Sequence, residues 1–256
     1  MGWKMLKGRI IPIQLLMNGR LVKTINFSNW RDVGDPVKSS AVYNSQSADE
    51  LIFLNITRER PSLQPLAQLM QEVSKECFMP LSVGGGIRSL DDATYLLQNG
   101  ADKVVINTVA YRAPEVISKI ADRFGTQAVI VGIDAKRDGE TYLAMSNSAS
   151  QSEKINLFAH IARCEAAGAG EFLIQSIDRD GTMKGFDLEL LKLVCSIASI
   201  PVIGCGGAGH YNHLKEAYLE TEVNALACGS IFNFSDSNPL RAKAFLGNYG
   251  LQFKVV

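Results

Sequence analysis

Apolar residues along this chain gather in short runs that stay apolar at successive positions instead of alternating with polar ones. Such runs read as strands covered on both faces, the condition of a parallel sheet packed under helices. Eight occur: RIIPI (9–13), ELIFLNI (50–56), PLSVGGG (80–86), KVVIN (103–107), QAVIVGID (127–134), EFLIQSID (171–178), PVIGCGG (201–207) and ALACGS (225–230). The stretches between them carry helical spacing and helix punctuation. SLQPLAQLMQEVSKE begins at Ser62 and SLDDATYLLQNG at Ser89, while PEVISKIADRFG has Pro114 near its first turn; the last two stop at Gly. Eight strands alternating with helices over 256 residues predict an α/β protein, a single-domain (β/α)8 TIM barrel. An open, doubly wound sheet is the alternative.

The chain also resembles itself. PLSVGGGIRSLDDATYLLQNGADKVVINT (80–108) and PVIGCGGAGHYNHLKEAYLETEVNALACGS (201–230) share one order: strand, glycines, helix, strand, small polar residues. DELIFLNIT (49–57) and GEFLIQSID (170–178) match before them. Half a barrel thus occurs twice, at about 1–124 and 125–256, with no linker to divide the chain into two domains.

Composition narrows the class. Twenty-six Lys and Arg balance 26 Asp and Glu, which leaves no basic excess to attract nucleic acid or an anionic membrane. No run approaches the ~18–20 apolar residues needed to cross a bilayer. MGWKMLKGRIIP lacks the apolar core and cleavage site of a secretory signal. A cytoplasmic protein without metal or cofactor is expected. The five cysteines, Cys77, Cys164, Cys195, Cys205 and Cys228, form no CxxC pair, which fits reduced thiols better than disulfides or zinc. Cys205 and Cys228, at Gly-rich strand ends, read as small core residues.

Two places suggest anion binding. Gly84, Gly85 and Gly86 in one copy, and Gly206 and Gly207 in the other, end a strand and precede a helix. Missing Cβ atoms there let backbone approach an anion, and the next helix turn offers N–H groups with the positive end of its dipole. Asn107 and Thr108, and Gly229 and Ser230, are small donors at the neighbouring strand ends. Relief of crowding at a barrel top is the plainer reading of one such cluster. Two related clusters predict a ligand with a phosphate at each end.

GDPV (34–37), VGGGIRS (83–89), GADKVVINT (100–108), GTQAVIVGIDAKRDG (125–139), GAGE (168–171), SIDRDGT (176–182) and GGAG (206–209) together resemble the cyclase subunit of imidazole glycerol phosphate synthase. The likeness keeps order and spacing along nearly the whole chain. It implies a barrel that takes ammonia from a glutaminase partner at its N-terminal face. At the C-terminal face that ammonia would react with a bis-phosphorylated aminoimidazole carboxamide ribonucleotide. Arg9, Glu50, Lys103 and Glu171 each stand at the start of a strand, two positive and two negative. The resemblance makes them an ammonia gate and Asp102 a partner-docking residue. It also makes Asp134 one catalytic aspartate, Lys23 a substrate contact, and Asp180, Gly181 and Thr182 of DRDGT part of the mouth.

The likeness fails in the first strand. The family pattern there resembles C-L-D-V-K-D-G-R, and this chain reads Ile13-Gln14-Leu15-Leu16-Met17-Asn18-Gly19-Arg20. Leu15 stands at the second catalytic aspartate, and leucine neither gives nor takes a proton. Asn55 replaces a family aspartate and Gln175 a threonine. The LLMNG stretch resembles a divergent branch associated with acetamidino-sugar formation for bacterial surface polysaccharides. In that branch a glutaminase and a separate ATP-using amidotransferase are the partners. The expected function is therefore ammonia supply to such a sugar. A genuine cyclase in histidine biosynthesis and a non-catalytic scaffold for the glutaminase are the alternatives. The segment from Met17 to Asp35, with Arg20, Lys23, Arg31 and Asp35, reads as an anion-sensing lid or a solvated loop.

Overall fold

The computed structural model describes residues 7–57 and 62–254. Eight parallel strands hydrogen-bond in sequence order and close on themselves. They are β1 (Arg9–Met17), β2 (Leu51–Asn55), β3 (Leu81–Gly84), β4 (Lys103–Ile106), β5 (Val129–Asp138), β6 (Glu171–Ser176), β7 (Val202–Cys205) and β8 (Ala225–Cys228). The ring is completed by β8 against β1, with Arg9 opposite Ala225 and Pro12 opposite Cys228. The chain is a (β/α)8 barrel, and the open-sheet alternative is excluded.

Outside it lie α1 (Pro36–Ser45), α2 (Gln64–Val73), α3 (Leu90–Leu97), α4 (Thr108–Arg112), α5 (Glu115–Phe124), α6 (Leu157–Ala166), α7 (Leu188–Cys195), α8 (Tyr211–Glu220), α9 (Ser230–Phe234) and α10 (Pro239–Gly247). Their starts follow from local chemistry. Asp35, Asn156, Asp187 and Asn238 accept a first-turn N–H, and Ser89 and Asp92 cap α3 reciprocally. Ser62 does not cap α2: its hydroxyl accepts from Gln64 N, and Leu63 takes the cap position.

Alternation along the strands makes two cores. Ile11, Ile13, Ile52, Val105, Ile130, Leu173, Ile203, Ala225 and Ala227 fill the barrel interior. Ile10, Phe53, Val83, Val131 and Phe172 point outward to Met70, Leu96, Ile117, Ile161 and Leu246 of the helices. Truncating one such residue to Ala costs about 2–5 kcal/mol. Cys77, Cys164, Cys205 and Cys228 are buried and Cys195 half-buried, all as free thiols.

Two hairpins decorate the C-terminal face. Arg20–Ile25 pairs antiparallel with β1 and then with Ser28–Gly34, so the segment after β1 is a structured ribbon instead of a loop. Thr141–Ser146 returns along the extended end of β5. Among the described residues no helix is long and apolar enough to cross a membrane.

Candidate functional site

The N-terminal end of the barrel is closed by four charges. Arg9, Lys103 and Glu171 are first residues of β1, β4 and β6, and Glu50 immediately precedes β2. Arg9 bonds Glu50 at 2.5 Å and also Glu171, while Lys103 bonds both carboxylates at 3.0 Å. Every charge has two partners of opposite sign, so the ring is neutral. Burial alone would push the Glu171 carboxyl up, but Arg9 and then Lys103 outweigh it and hold it below the ordinary carboxylate range. Asp102 lies on the same face, exposed, with one oxygen accepting from Leu81 N at 2.8 Å.

At the other end the inward alternation continues through Leu15, Asn107, Asp134 and Gln175. Leu15 is buried and held in register by Leu54 of β2 and Val22 of the first hairpin. Asp134 lies beside Gln175 and accepts from Asn107 Nδ2 at 3.0 Å. In an eight-stranded ring β1 and β5 are diametrically opposed, so Leu15 and Asp134 face each other across the mouth. Burial pushes the Asp134 carboxyl up to about 7, against the Asn107 hydrogen bond and with help from the Asp180 charge.

Asp180 is occupied. Its Oδ2 accepts from Thr24 Oγ1 at 2.7 Å and Phe27 N at 3.1 Å, its Oδ1 from Gln175 Nε2 at 3.4 Å, and its carbonyl from Asn26 N at 3.0 Å. It therefore latches the first hairpin over the mouth. Under the hairpin, Lys23 is buried and its ammonium donates to Ile13 O at 3.2 Å. Burial pulls the Lys23 pKa down, partly opposed by Asp180. The remaining cavity among Leu15, Lys23, Asp180 and Gly229 is about 20 Å³, room for about one water.

The glycine clusters divide by physical cause. A Cβ on Gly85 would meet Asn55 O at 2.0 Å, and one on Gly207 would meet Gly185 O at 2.1 Å. The protein's own backbone requires those two glycines. A Cβ on Gly206 would also crowd backbone, meeting Ser176 O at 2.9 Å, whereas one on Gly86 would meet nothing closer than Leu63 Cδ2 at 3.4 Å. The helix donors expected to face anions are also partly engaged. Asp92 accepts from Arg88 N and Ser89 N before α3, and His213 Nδ1 accepts from Gly209 N before α8. Thr108 Oγ1 accepts from Asn147 N, and Thr182 Oγ1 donates to Arg179 O. Gly181 lies under the hairpin, with Thr24 O where its Cβ would be. Ser230 opens α9 beside Gly229.

Sequence comparison agrees with the full barrel. Residues 9–238 match the family model of histidine biosynthesis proteins. The imidazole glycerol phosphate synthase subunit HisF of Prosthecochloris aestuarii is 41% identical over 247 residues, covering 96% of this chain and 98% of that protein. The same subunit of Chlorobium phaeovibrioides is 39% identical, covering 98% of this chain and 100% of its own. That of Hydrogenobaculum sp. is 40% identical with the same coverage. The chain belongs to the HisF family.

Two features escaped the sequence. The latch from Asp180 to Thr24 and Phe27 spans more than 150 residues and carries no local signal. The hairpin after β5 did have one: Asp138-Gly139 between extended runs, a recognisable turn dipeptide.

Proposed function

We propose that this barrel receives ammonia from a glutamine amidotransferase subunit and supplies it for acetamidino-sugar formation in surface polysaccharide synthesis, beside a separate ATP-using amidotransferase. The ring of Arg9, Glu50, Lys103 and Glu171 is the inlet and Asp102 contributes to the partner interface. The two cradles, Gly85 to Thr108 and Gly206 to Ser230, bind a phosphorylated small molecule, with Lys23 neutralising the second.

One observation carries the departure from HisF cyclisation: Leu15 faces Asp134. Closing the imidazole ring needs an acid and a base on opposite sides of the ligand, and losing one typically costs about 10²–10⁴ in rate. No slip of register rescues a carboxylate, because Leu15 is paired on both sides. Asp180 is no substitute while its oxygens serve the hairpin and Gln175.

The test is an assay of the barrel with ammonium salt and the bis-phosphorylated aminoimidazole carboxamide ribonucleotide. No imidazole glycerol phosphate is expected, and turnover at ordinary enzyme rates overturns the proposal. The Leu15→Asp variant should then raise turnover above background. Stimulation of the glutaminase by the barrel, lost in Lys103 or Asp102 variants, tests the partnership. A second reading, a HisF cyclase in histidine biosynthesis working through Asp134 alone, is favoured by the full-length identity of about 40% and by the retained Asp134.

A further inference from the structure

Polar atoms without partners mark a route through the barrel. Ser82 Oγ on β3 is buried and unpartnered, and Ser82 lies opposite Ile52 and Lys103 in the neighbouring strands, just above the charged ring. Higher up, β5 turns Gly132 inward. A Cβ there would sit in ordinary contact with Val105 Cγ1 at 3.5 Å and Asn107 Cβ at 3.8 Å, so the missing side chain leaves room for about one methyl group directly below Asp134. Asn107 Oδ1, beside that carboxylate, is buried with no partner. A buried acceptor without a partner costs about 1–3 kcal/mol, so Asn107 Oδ1 calls for a donor from outside the chain.

We propose that Asp134 and Asn107 form an ammonium-holding site at the top of the barrel interior. Ammonia that climbs past Ser82 and Gly132 takes the carboxyl proton of Asp134, and the ammonium is held between the carboxylate and Asn107 Oδ1. The step balances: a neutral acid and a neutral base become an ion pair, and reversal returns the proton to Asp134 and ammonia to the mouth. Ammonia is the stronger base, which drives the transfer. Burial raises the Asp134 carboxyl to about 7, so it has a proton to give near and below neutral pH. Its titratable neighbours are Asp180, Cys205 and Tyr111, and no Lys or Arg contributes to its titration. Leu15 across the mouth offers no second carboxylate to compete for the cation. The inference rests on ammonia conduction through the barrel.

Infrared difference spectra of the whole chain, near the Asp134 midpoint of about pH 7, test it. Ammonium chloride is compared with potassium chloride at equal ionic strength, potassium being a similar monovalent cation without protons. Ammonium should convert a carboxyl band to a carboxylate band and lower the midpoint by about one pH unit, a tenfold change in proton affinity. Potassium should not, and Asp134→Asn should abolish the response. Identical spectra in the two salts, or an ammonium response that survives Asp134→Asn, overturns the site. Because ammonium is added directly, failure here concerns the holding site, whereas failure of the partnership that would supply the ammonia is read in the glutaminase assay.

Discussion

A Cβ built on Gly229 would lie 1.8 Å from Lys23 Nζ and 2.6 Å from its Cε: the lysine reaches into the space the glycine leaves. The end of β8 is thus met by a cationic side chain 206 positions away in sequence, carried there by the first hairpin.

Gly229→Ala should expel that ammonium. The lysine tip is flexible, so the chief loss is its bond to Ile13 O, about 1.5–3 kcal/mol for a charged donor. Lys23 then gains solvent, and its labelling by an amine reagent, mapped by mass spectrometry, should rise clearly above wild type. An unchanged labelling rate contradicts the contact.

Releasing the latch should loosen the hairpin alone. Asp180→Ala removes the acceptors of Thr24 Oγ1 and Phe27 N. Hydrogen exchange at Phe27 should speed by roughly tenfold or more, since about 1.4 kcal/mol is a factor of ten. Amides of α10 should exchange as before.

The charged ring predicts a pH dependence of stability. Glu171 is held below the ordinary carboxylate range, so it stabilises the fold above that range and the contribution is lost as pH falls through its depressed value. Lys103→Met should cost about 2–3 kcal/mol at neutral pH. That is less than the ~3–5 kcal/mol of a fully buried pair, because the lysine side chain keeps 17% exposure. The variant should also lose less further stability on acidification, read from urea midpoints across pH.

Asp134 gives the opposite sign. Its folded pKa of about 7 exceeds the ordinary 3.8, so the fold is favoured at acid pH and loses stability as pH rises through about 7. Asp134→Asn removes that loss. The variant should match wild type near the ordinary carboxylate range and exceed it on the alkaline side by a few kcal/mol at most. Equal urea midpoints at alkaline pH would contradict the burial of this carboxylate.

The eight strands were legible because each is a both-faces apolar run with a helix behind it, and period and punctuation are local properties. Leu15 and Asp134 were legible only through the family resemblance; their inward facing follows from the fold, in which Ile13 and Ile130 of the same strands line the interior. The ring was legible as four charges at strand starts, although Glu50 stands just outside its strand. What stayed hidden depends on contacts between distant segments. Lys23 and Asp180 read as mouth residues facing a ligand, but their first partners are Ile13 O, Thr24 and Phe27. Gly85 and Gly207 read as room for an anion, yet carbonyls of Asn55 and Gly185 already fill the space. A polar residue in sequence does not announce whether its partner will be a ligand or the chain itself.

The ring has a consequence for how the barrel can be divided. Arg9, Glu50 and Lys103 belong to the first half, and Glu171 alone comes from the second. A fragment ending near residue 124 would hold two cations over one carboxylate at its base. The other half brings the missing anion, and that one side chain reaches both cations. Glu171 is therefore an electrostatic clasp between the halves: each fragment is charge-mismatched until it meets its complement.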